Sequence, residues 1–404
     1  MVVRKVTVDD VNAIRKLKSL AFEMIDQMED EAFIDTFMNH PNRRQQLYWL
    51  ERWGAFDDEG RLMSSLAAYP YQVNFDGQTV GMAGIADVAS YPQYRNQGAV
   101  RACFSKAFRE MKERGQVFSY LYPFSTAYYQ KFGYVPCYET QEWQIQLDKL
   151  PSFGTKGGYT LFEKGGDIEP FVAIYNRFAS GYNMAVAREE IDWMTFKESD
   201  CFAQTHYTYL YRNEDGIPKS FFTFNKKYED GISVMASPQF VFYDAEGLKG
   251  ILDFAQRLKA NYVSIRFRVP SSLQIDSFIK EHSGNFAVRK IAYSGMARVV
   301  DVRRALSIAR FKGSGLVVLK IHDHSCTWND GTFAVKFTDG KMESVTETID
   351  KPDIELGIDL FTILLLGKYN CDELDFIDGL TVNGNIANLE KIFYKKRIAI
   401  LDGF

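Results

Sequence analysis

The chain has few of the residues that form disulfide frameworks or metal sites. Its 404 residues include only five cysteines and five histidines. The cysteines are scattered, odd in number and without the C-x-x-C spacing of zinc and redox motifs. Such a pattern favours reduced, mostly buried thiols. We therefore expect a cytoplasmic protein without disulfides.

Long apolar runs and a strong excess of one charge are also lacking. The longest apolar run lies around 361–366 and is far too short to span a bilayer. The first residues contain no apolar core of a signal peptide. The net charge is only −4, which argues against nucleic acid as a general partner. We expect neither membrane insertion nor nucleic-acid binding.

Both common nucleotide-binding loops are missing. The chain has no G-x-x-x-x-G-K-S/T sequence, and its one promising glycine turn lacks the three glycines of a dinucleotide fingerprint. Hydrophobic residues make up 46% of the chain and aromatic residues 15%. A chain of this length and composition can bury several cores, which predicts two or three domains.

The most informative pattern joins an apolar strand, from about Val80 to Ser90, to an amphipathic helix through an Arg-x-x-Gly turn. Apolar residues recur beyond the turn at helical spacing: Val100, Cys103, Phe104, Ala107, Phe108 and Met111. A glycine turn at a helix N-terminus presents unpaired N–H groups and the positive end of the helix dipole to an anion. Gly98 allows close approach, and Arg95 or Arg101 adds charge. The pattern predicts a phosphate cradle, although any strand, turn and helix with a basic first turn would look similar.

A second pattern follows about thirty residues later. A short strand over about 116–121 precedes Tyr122-Pro-Phe-Ser-Thr-Ala-Tyr-Tyr-Gln-Lys-Phe-Gly-Tyr134, which predicts a brief helix ended by Gly133. Its tyrosines are candidates for proton transfer. Most of the 23 tyrosines of the chain are expected to be packing residues, and either Tyr128 or Tyr129 could be the exposed one.

The two segments resemble motifs of GNAT N-acetyltransferases. Arg95-Asn96-Gln97-Gly98-Ala99-Val100 is similar to their acetyl-CoA pyrophosphate loop, Gln/Arg-x-x-Gly-x-Gly/Ala, and departs from it at Val100. The Tyr-x-x-Phe-Gly-Tyr ending matches the far side of the acetyl-CoA channel. The resemblance implies acetyl-CoA as co-substrate and Tyr129 as general acid for the departing thiolate. The residues that it implies for cofactor binding are Val88, Ser90, Arg95, Asn96, Gln97, Gly98, Ala99, Val100 and Arg101, with the Val88 N–H polarising the thioester carbonyl.

A second α/β unit repeats this layout after a Pro/Gly cluster at 147–154. Its strands are expected around 204–211, 219–225, 233–242 and 262–269, with a helix over about 246–260. In place of the cradle it has Asp244-Ala-Glu-Gly247, whose two carboxylates would repel a pyrophosphate. We interpret this unit as a degenerate copy without an active centre of its own.

From about Gly295 onward the sequence changes to hairpins. Strands are expected at 296–302, 315–321, 332–337 and 343–347, with turn signals at Asn329-Asp-Gly331 and Asp339-Gly340 and helices near 357–366 and 386–394. This region looks like a sterol-carrier-protein-like domain. Together, the three regions resemble the Eis (enhanced intracellular survival) family. The expected fold class is α/β with mixed sheets: a catalytic GNAT domain (1–148), a degenerate GNAT-like domain (149–292) and a sterol-carrier-protein-like α+β domain (293–404).

The Eis resemblance implies acetylation of primary amines on a small-molecule acceptor such as an aminoglycoside, and a hexameric assembly. It also implies that the α-carboxylate of Phe404 is the base, although an ordinary packed terminus is the alternative. A cationic acceptor needs acidic walls, for which Glu23, Asp26 and Asp402 are the candidates; each could equally be a solvated surface residue. Alternative functions are lipid binding by the C-terminal domain and, less favoured by the acidic balance, aminoacyl or peptidyl transfer.

The alternation His322-Asp-His324-Ser-Cys326 invites a test for zinc, because it places three possible ligands on one face of a strand. No fourth ligand is evident, and incidental polar strand ends are commoner than such sites. We expect no metal.

Overall fold

The computed structural model describes residues 1–25, 32, 49–281 and 286–403. The chain divides into two compact units. The first comprises Met1–Cys137, Gly295–Lys396 and Ile400–Phe404, and the second comprises Tyr138–Ser294 and Arg397–Ala399. The expected mixed α/β class is confirmed, and the three-domain boundaries stay a prediction.

The first unit contains a mixed sheet in the order β1-β2-β3-β4-β5-β12. Its strands are β1 (Val2–Lys5), β2 (Arg52–Phe56), β3 (Leu62–Phe75), β4 (Gln78–Ser90), β5 (Phe118–Leu121) and the part of β12 (Ala287–Val299) from Gly295. Neighbouring strands are antiparallel except β4 and β5, which are parallel. Its helices are α1 (Val11–Phe22), α2 (Ala99–Glu113) and α3 (Thr126–Gln130).

Helix α2 provides the crossover between the parallel strands β4 and β5. Five of the six side chains predicted from the spacing are buried, and the sixth, Val100, is half-buried. The buried ones are Cys103, Phe104, Ala107, Phe108 and Met111. They form one core with Ala83 and other residues of the sheet. The amphipathic pattern therefore fixes which face of α2 packs on the sheet and leaves the N-terminus of the helix beside the end of β4.

The C-terminal part of this unit forms a second sheet in the order β15-β14-β13-β16-β17. The strands are β13 (Gly315–His322), β14 (Gly331–Thr338), β15 (Lys341–Glu347), β16 (Ile354–Gly357) and β17 (Leu380–Val382), and the helices are α8 (Val302–Ile308), α9 (Ile358–Leu366) and α10 (Ile386–Ile392). Helix α9 is apolar almost all round and nearly all of its residues are buried, as expected for a core helix.

The second unit has a six-stranded sheet in the order β6-β11-β10-β9-β8-β7. The strands are β6 (Val135–Gln146), β7 (Gly158–Leu161), β8 (Tyr207–Arg212), β9 (Pro218–Glu229), β10 (Ile232–Phe242) and β11 (Ser264–Pro270); the helices are α4 (Glu169–Ala179), α5 (Glu190–Lys197), α6 (Cys201–Gln204) and α7 (Ala245–Arg257). Strands β10 and β11 are parallel and α7 lies between them in the chain. The unit thus repeats the strand, helix, strand order of β4, α2 and β5.

Two local predictions are wrong. Residues 204–206 were expected to open a strand, but Gln204 ends α6 and β8 begins at Tyr207. The strand expected to reach Val302 ends at Val299, because Asp301 accepts a hydrogen bond from the Arg304 N–H and caps α8. Apolar residues at 299, 300 and 302 fit either a strand or a helix start, and the capping aspartate decides between them.

Candidate functional site

The end of β4 separates from its parallel neighbour β5. The register between them runs from Met82 opposite Phe118 to Ile85 opposite Leu121, where β5 ends. Strand β4 continues to Ser90, and its pairing with β3 shifts where Asp87 and Val88 stand opposite the single residue Leu66. This two-against-one arrangement is a β-bulge, which bends a strand and re-aims its backbone groups. Val88, the predicted polarising residue, therefore lies in the bulge.

Asp87 occupies the strained position of the bulge. Its φ of 50° is in the left-handed region, which is uncommon for residues other than glycine. The Asp87 carboxylate binds Arg52 Nη2 at 2.8 Å and Lys18 Nζ at 2.6 Å. Burial alone would raise the pKa of Asp87, but these two cations hold the pKa below its ordinary value. A charged carboxylate thus connects β2 and α1 to the bulge.

The turn after β4 ends in an open helix N-terminus. A short 3-10 helix spans Pro92–Tyr94, and the Tyr94 hydroxyl donates to Asp57 at 2.9 Å. Asn96 and Gly98 then adopt φ values of 63° and 80°. Gly98 is the N-cap of α2, where no side chain caps the helix, and a Cβ on Gly98 would meet nothing within 4 Å. The free first-turn N–H groups and the empty space fit a phosphate-bearing ligand.

The predicted cradle residues are mostly accessible. Arg95, Asn96, Gln97, Gly98 and Arg101 are exposed, Val88, Ser90 and Val100 are half-buried, and Ala99 is buried. Ser90 shares a hydrogen bond of 2.6 Å with Ser64, and the Gln97 amide donates to the Gln93 carbonyl at 3.1 Å. The structure therefore places the two arginines beside the open helix end and Ser90 in the sheet. Their role in binding stays a prediction.

Tyr129 lies on α3 with its ring surrounded by other aromatic rings. Its neighbours are Phe124, Tyr128, Phe104 and Tyr134, at centroid distances of 5.4, 5.3, 6.4 and 6.3 Å. The Tyr129 side chain is buried, and its hydroxyl makes no hydrogen bond to any residue in the described part of the chain. Burial, with a smaller contribution from Tyr128, raises the pKa of Tyr129 above its ordinary value. The phenol therefore keeps its proton at neutral pH.

The cradle helix and the tyrosine helix pack on one another. Phe104 of α2 contacts the Tyr129 ring, and Arg101 is near enough to Tyr128 to counteract part of the rise that burial causes in the Tyr128 pKa. Val88 and Val100 pack on the same buried cluster that contains Tyr129. The two segments singled out in the sequence thus form one site.

The last described residues of the chain reach the same segment. The Tyr122 hydroxyl, directly after β5, donates a hydrogen bond of 2.6 Å to the Asp402 carbonyl oxygen. Burial and the Asp402 charge raise the pKa of Tyr122, so this donor stays protonated. Phe404 and Asp26 lie outside the described residues.

Glu23 is not joined to this group by any bond. It forms the exposed C-cap of α1 with a φ of 53°, and its side chain makes no hydrogen bond or ion pair with a residue that the structure describes. Its predicted acceptor role is neither supported nor opposed by these contacts.

Residues of the His322 to Cys326 alternation have partners within the protein. His322 Nε2 lies 2.7 Å from Glu355 Oε1, and Cys326 is buried. The second residue of this segment, Asp323, is buried and ion-paired with Arg298. Across the described ranges, no group of three or more His, Cys, Asp or Glu side chains could hold a metal ion.

Sequence reasoning missed several residues of this region. Asp87 carries a usable signal, because it is the only charged residue in the otherwise apolar and small run of β4. Arg52 and Lys18 give no such signal, since their partner is distant in sequence. Tyr122 was noted as the start of the motif without a role.

Two family matches accompany this geometry. Residues 2–137 match the family described as acetyltransferase (GNAT) domain, and residues 302–401 match the sterol carrier protein domain. Residues 2–137 are therefore an acetyltransferase (GNAT) domain, which makes the protein an enzyme and implies acetyl-CoA as its co-substrate. Its N-terminal GNAT domain and C-terminal sterol carrier protein domain fit the Eis-like arrangement that the sequence indicated.

Solved structures share this fold over the whole chain. A probable N-acyltransferase from Enterococcus faecalis V583 is 21% identical with a TM-score of 0.83, covering 100% of this chain and 99% of its own. A GCN5-related N-acetyltransferase from Anabaena variabilis is 20% identical with a TM-score of 0.81, and Eis1 from Mycobacterium abscessus is 16% identical with a TM-score of 0.80; both alignments cover 100% of each chain. The comparison with curated proteins gave no significant match.

Proposed function

We propose that the protein acetylates a primary amine of a polycationic small molecule, such as an aminoglycoside, by direct attack on acetyl-CoA in a ternary complex. Tyr129 is the general acid and the α-carboxylate of Phe404 is the base. Glu23, Asp26 and Asp402 are the acidic residues that attract the acceptor.

One observation carries this proposal: the 2.6 Å hydrogen bond from Tyr122 to the Asp402 carbonyl. It holds the chain two residues before Phe404 against the segment that carries Tyr129. A base must lie within hydrogen-bond reach of the proton that it removes. A carboxylate with a reference pKa of about 3.5 is a weak base in water, but it also attracts and orients an ammonium group.

The reaction makes one bond and breaks one. The ammonium group of the acceptor gives one proton to the Phe404 carboxylate, and the neutral amine then bonds to the thioester carbonyl carbon while the C–S bond breaks. Tyr129 donates its phenolic proton to the departing thiolate, and the second proton of the attacking nitrogen restores the phenol. Burial raises the pKa of Tyr129 and keeps the phenol protonated, but it also makes the phenol a weaker acid, so the role rests on the position of Tyr129 and not on its acidity.

Thiol release from acetyl-CoA in the presence of a panel of amines tests the proposal directly. We expect Tyr129→Phe to lower kcat by about 100-fold, within the range for loss of a general acid. Acetyl-CoA affinity, measured by calorimetry, should stay within about twofold, because the phenol acts mainly in the transition state. Tyr128→Phe is the matched control on the same helix and should keep kcat within about threefold of wild type.

The base is tested by a second pair of variants. Deletion of Phe404 moves the terminal carboxylate back by one residue and should lower kcat, whereas Phe404→Ala keeps the carboxylate and removes only the ring. Equal losses in both variants would assign the effect to the aromatic ring. Wild-type turnover of both Tyr129→Phe and the deletion would contradict the assigned roles, and a wild type that binds no acetyl-CoA would end the proposal.

No observation among the described residues favours lipid carriage as the main function. The buried side chains of α9, such as Phe361, Leu364 and Leu365, form part of the C-terminal core. No helix within the described ranges combines the length and hydropathy needed to cross a bilayer. A cytoplasmic location and a hexameric assembly remain part of the proposal, and light scattering tests the assembly.

A further inference from the structure

The C-terminal end of the tyrosine segment is clamped by a buried arginine. The Phe132 carbonyl accepts a hydrogen bond from Arg298 Nη1. Gly133 follows with a φ of 77°, and a Cβ there would lie 2.7 Å from Ile358 Cγ2 and 3.2 Å from Arg298 Nη1. The motif glycine is therefore required both by its backbone conformation and by the close approach of Arg298 and Ile358.

Arg298 is completely buried, and each of its three guanidinium nitrogens donates a hydrogen bond. Besides the bond to Phe132, Nε donates to the Val299 carbonyl at 3.2 Å and Nη2 binds Asp323 Oδ2 at 2.5 Å. The guanidinium carbon also lies 4.4 Å from the centre of the Phe108 ring. These contacts hold the Arg298 side chain in one position, because a planar guanidinium has little freedom once its donors are bound.

Asp323 is held as firmly as its partner. Its Oδ1 accepts from the Ser325 and Cys326 N–H groups at 3.0 Å each, and its Oδ2 accepts from Asn329 Nδ2 at 2.9 Å. The carboxylate is therefore fixed by the loop of the C-terminal region before it meets Arg298. The His322 to Cys326 segment therefore has a structural role, which is to hold the Asp323 carboxylate.

Stability alone is a poor explanation for this pair. Replacing a buried ion pair by apolar residues of similar volume is often neutral or stabilising. Here the pair directs a bond to a chosen backbone atom, the Phe132 carbonyl. The Phe132 N–H in turn donates to the Tyr129 carbonyl at 2.9 Å. Helix α3 has only five residues, too few to be stable by itself, so its orientation depends on such anchors.

We propose that Arg298 and Asp323 are positioning residues for Tyr129, through which the C-terminal region sets the orientation of the general acid. The inference rests on the proposed function of Tyr129. It predicts an effect on the chemical step and none on acetyl-CoA binding, because the cradle residues at 95–101 make no hydrogen bond or ion pair with Arg298 or Asp323 among the described residues.

The test combines Arg298→Met with Asp323→Leu, so that neither charge is left buried alone. In the otherwise wild-type enzyme we expect kcat for thiol release to fall roughly 10- to 100-fold, since small misplacements of a catalytic group have effects of this size. KM for acetyl-CoA should change by less than about twofold. In the Tyr129→Phe background the same pair should lower kcat by less than about twofold, because the group that it positions is gone.

Arg266→Met with Glu229→Leu is the matched control. It removes an arginine and carboxylate pair joined at 2.5 and 2.7 Å in the second unit and should leave kcat within about twofold in both backgrounds. If the variant with both substitutions, Arg298→Met and Asp323→Leu, fails to fold, Arg298→Lys replaces it in the same double-mutant cycle with Tyr129→Phe. Lysine keeps the charge but lacks the planar guanidinium that reaches Phe132 and Asp323 together.

Equal losses of kcat in the wild-type and Tyr129→Phe backgrounds would overturn the proposal, as would a folded pair variant with wild-type kcat. A wild-type kcat in Tyr129→Phe alone is a separate result. It would remove the proposed function of Tyr129, and this inference with it.

Discussion

The chain contains two elements in which a strand leads through a turn into a helix. The two helices differ at their N-termini, because one is capped by a side chain and the other is not. At the start of α2, Gly98 leaves the helix uncapped by any side chain, with open space around it. At the start of α7, the Asp244 carboxylate accepts from the Gly247 N–H at 2.8 Å and binds Lys219 at 2.8 Å. Even the glycines differ, because a Cβ on Gly247 would lie 2.5 Å from the Lys219 carbonyl.

The comparison shows that one capping carboxylate can take the place of a bound anion at a helix N-terminus. Asp244 supplies from within the chain the negative charge that the α2 terminus leaves to a ligand. The second element also lacks the tyrosine: the 3-10 helix after β11, Ile275–Phe278, contains none. Both features on which the proposed reaction depends are thus present in the first unit and missing from these elements of the second.

Transferring the aspartate from one element to the other should have the largest effect. We expect Gly98→Asp to weaken acetyl-CoA binding on the order of 100-fold, because a carboxylate would occupy the helix terminus and repel the diphosphate. Gly98→Asn is the control, with the same size and tolerance of positive φ but no charge. Calorimetry on both variants measures the difference, and equal affinities would show that charge at this cap does not matter.

A smaller effect is expected from the exposed arginine of the cradle. Arg95→Ala should raise the KM for acetyl-CoA about fivefold at low salt, and the difference should shrink as salt screens the exposed charge. Arg268→Ala in the second unit, also exposed, should leave KM unchanged. A loss that is independent of salt would argue for a packing role of Arg95.

The reverse change should alter stability and leave activity intact. Asp244→Ala removes the cap of α7 and its ion pair with Lys219, so we expect a loss of about 1 kcal/mol in the free energy of unfolding. Turnover should stay at the wild-type level and no second acetyl-CoA should bind, because Glu246 remains bound to Lys219 at 2.8 Å. Asp244→Asn, which retains a capping oxygen, should lose less stability. Binding of two acetyl-CoA molecules per chain, measured by calorimetry, would contradict the interpretation of the second unit as a degenerate copy.

The smallest expected effect is in the alkaline pH profile. A general acid works only while protonated, and its contribution is lost as pH rises through its pKa. Since burial raises the Tyr129 pKa above the ordinary value of about 10, kcat should fall by less than about twofold between pH 7 and about 9.5. A titration of kcat centred near pH 8 that disappears in Tyr129→Phe would show that the phenol is more acidic than its burial indicates.

The features that the sequence predicted correctly depend on contacts between residues that are close in sequence. The helical spacing from Val100 to Met111 predicted α2 closely, because one amphipathic face decides where that helix packs. The Asp244 cap was also predictable, since capping is a contact within one turn. Both depend on residues that are close in sequence.

What escaped prediction depends on contacts that are distant in sequence. The bulge at Asp87 is tied to Arg52 and Lys18, which are 35 and 69 residues away. The ion pair of Asp323 with Arg298, 25 residues earlier in the chain, was not predicted either.

The pairing of β5 with β12 has a consequence for how the protein is made. Strand β5 is complete at Leu121, but Met296, which pairs with it, is synthesised only after residues Tyr138–Ser294 of the second unit. Until then β5 presents an unpaired edge, the kind of surface on which nascent chains aggregate. The first unit is thus among the last parts of the molecule to be completed, although its first strands emerge before everything else.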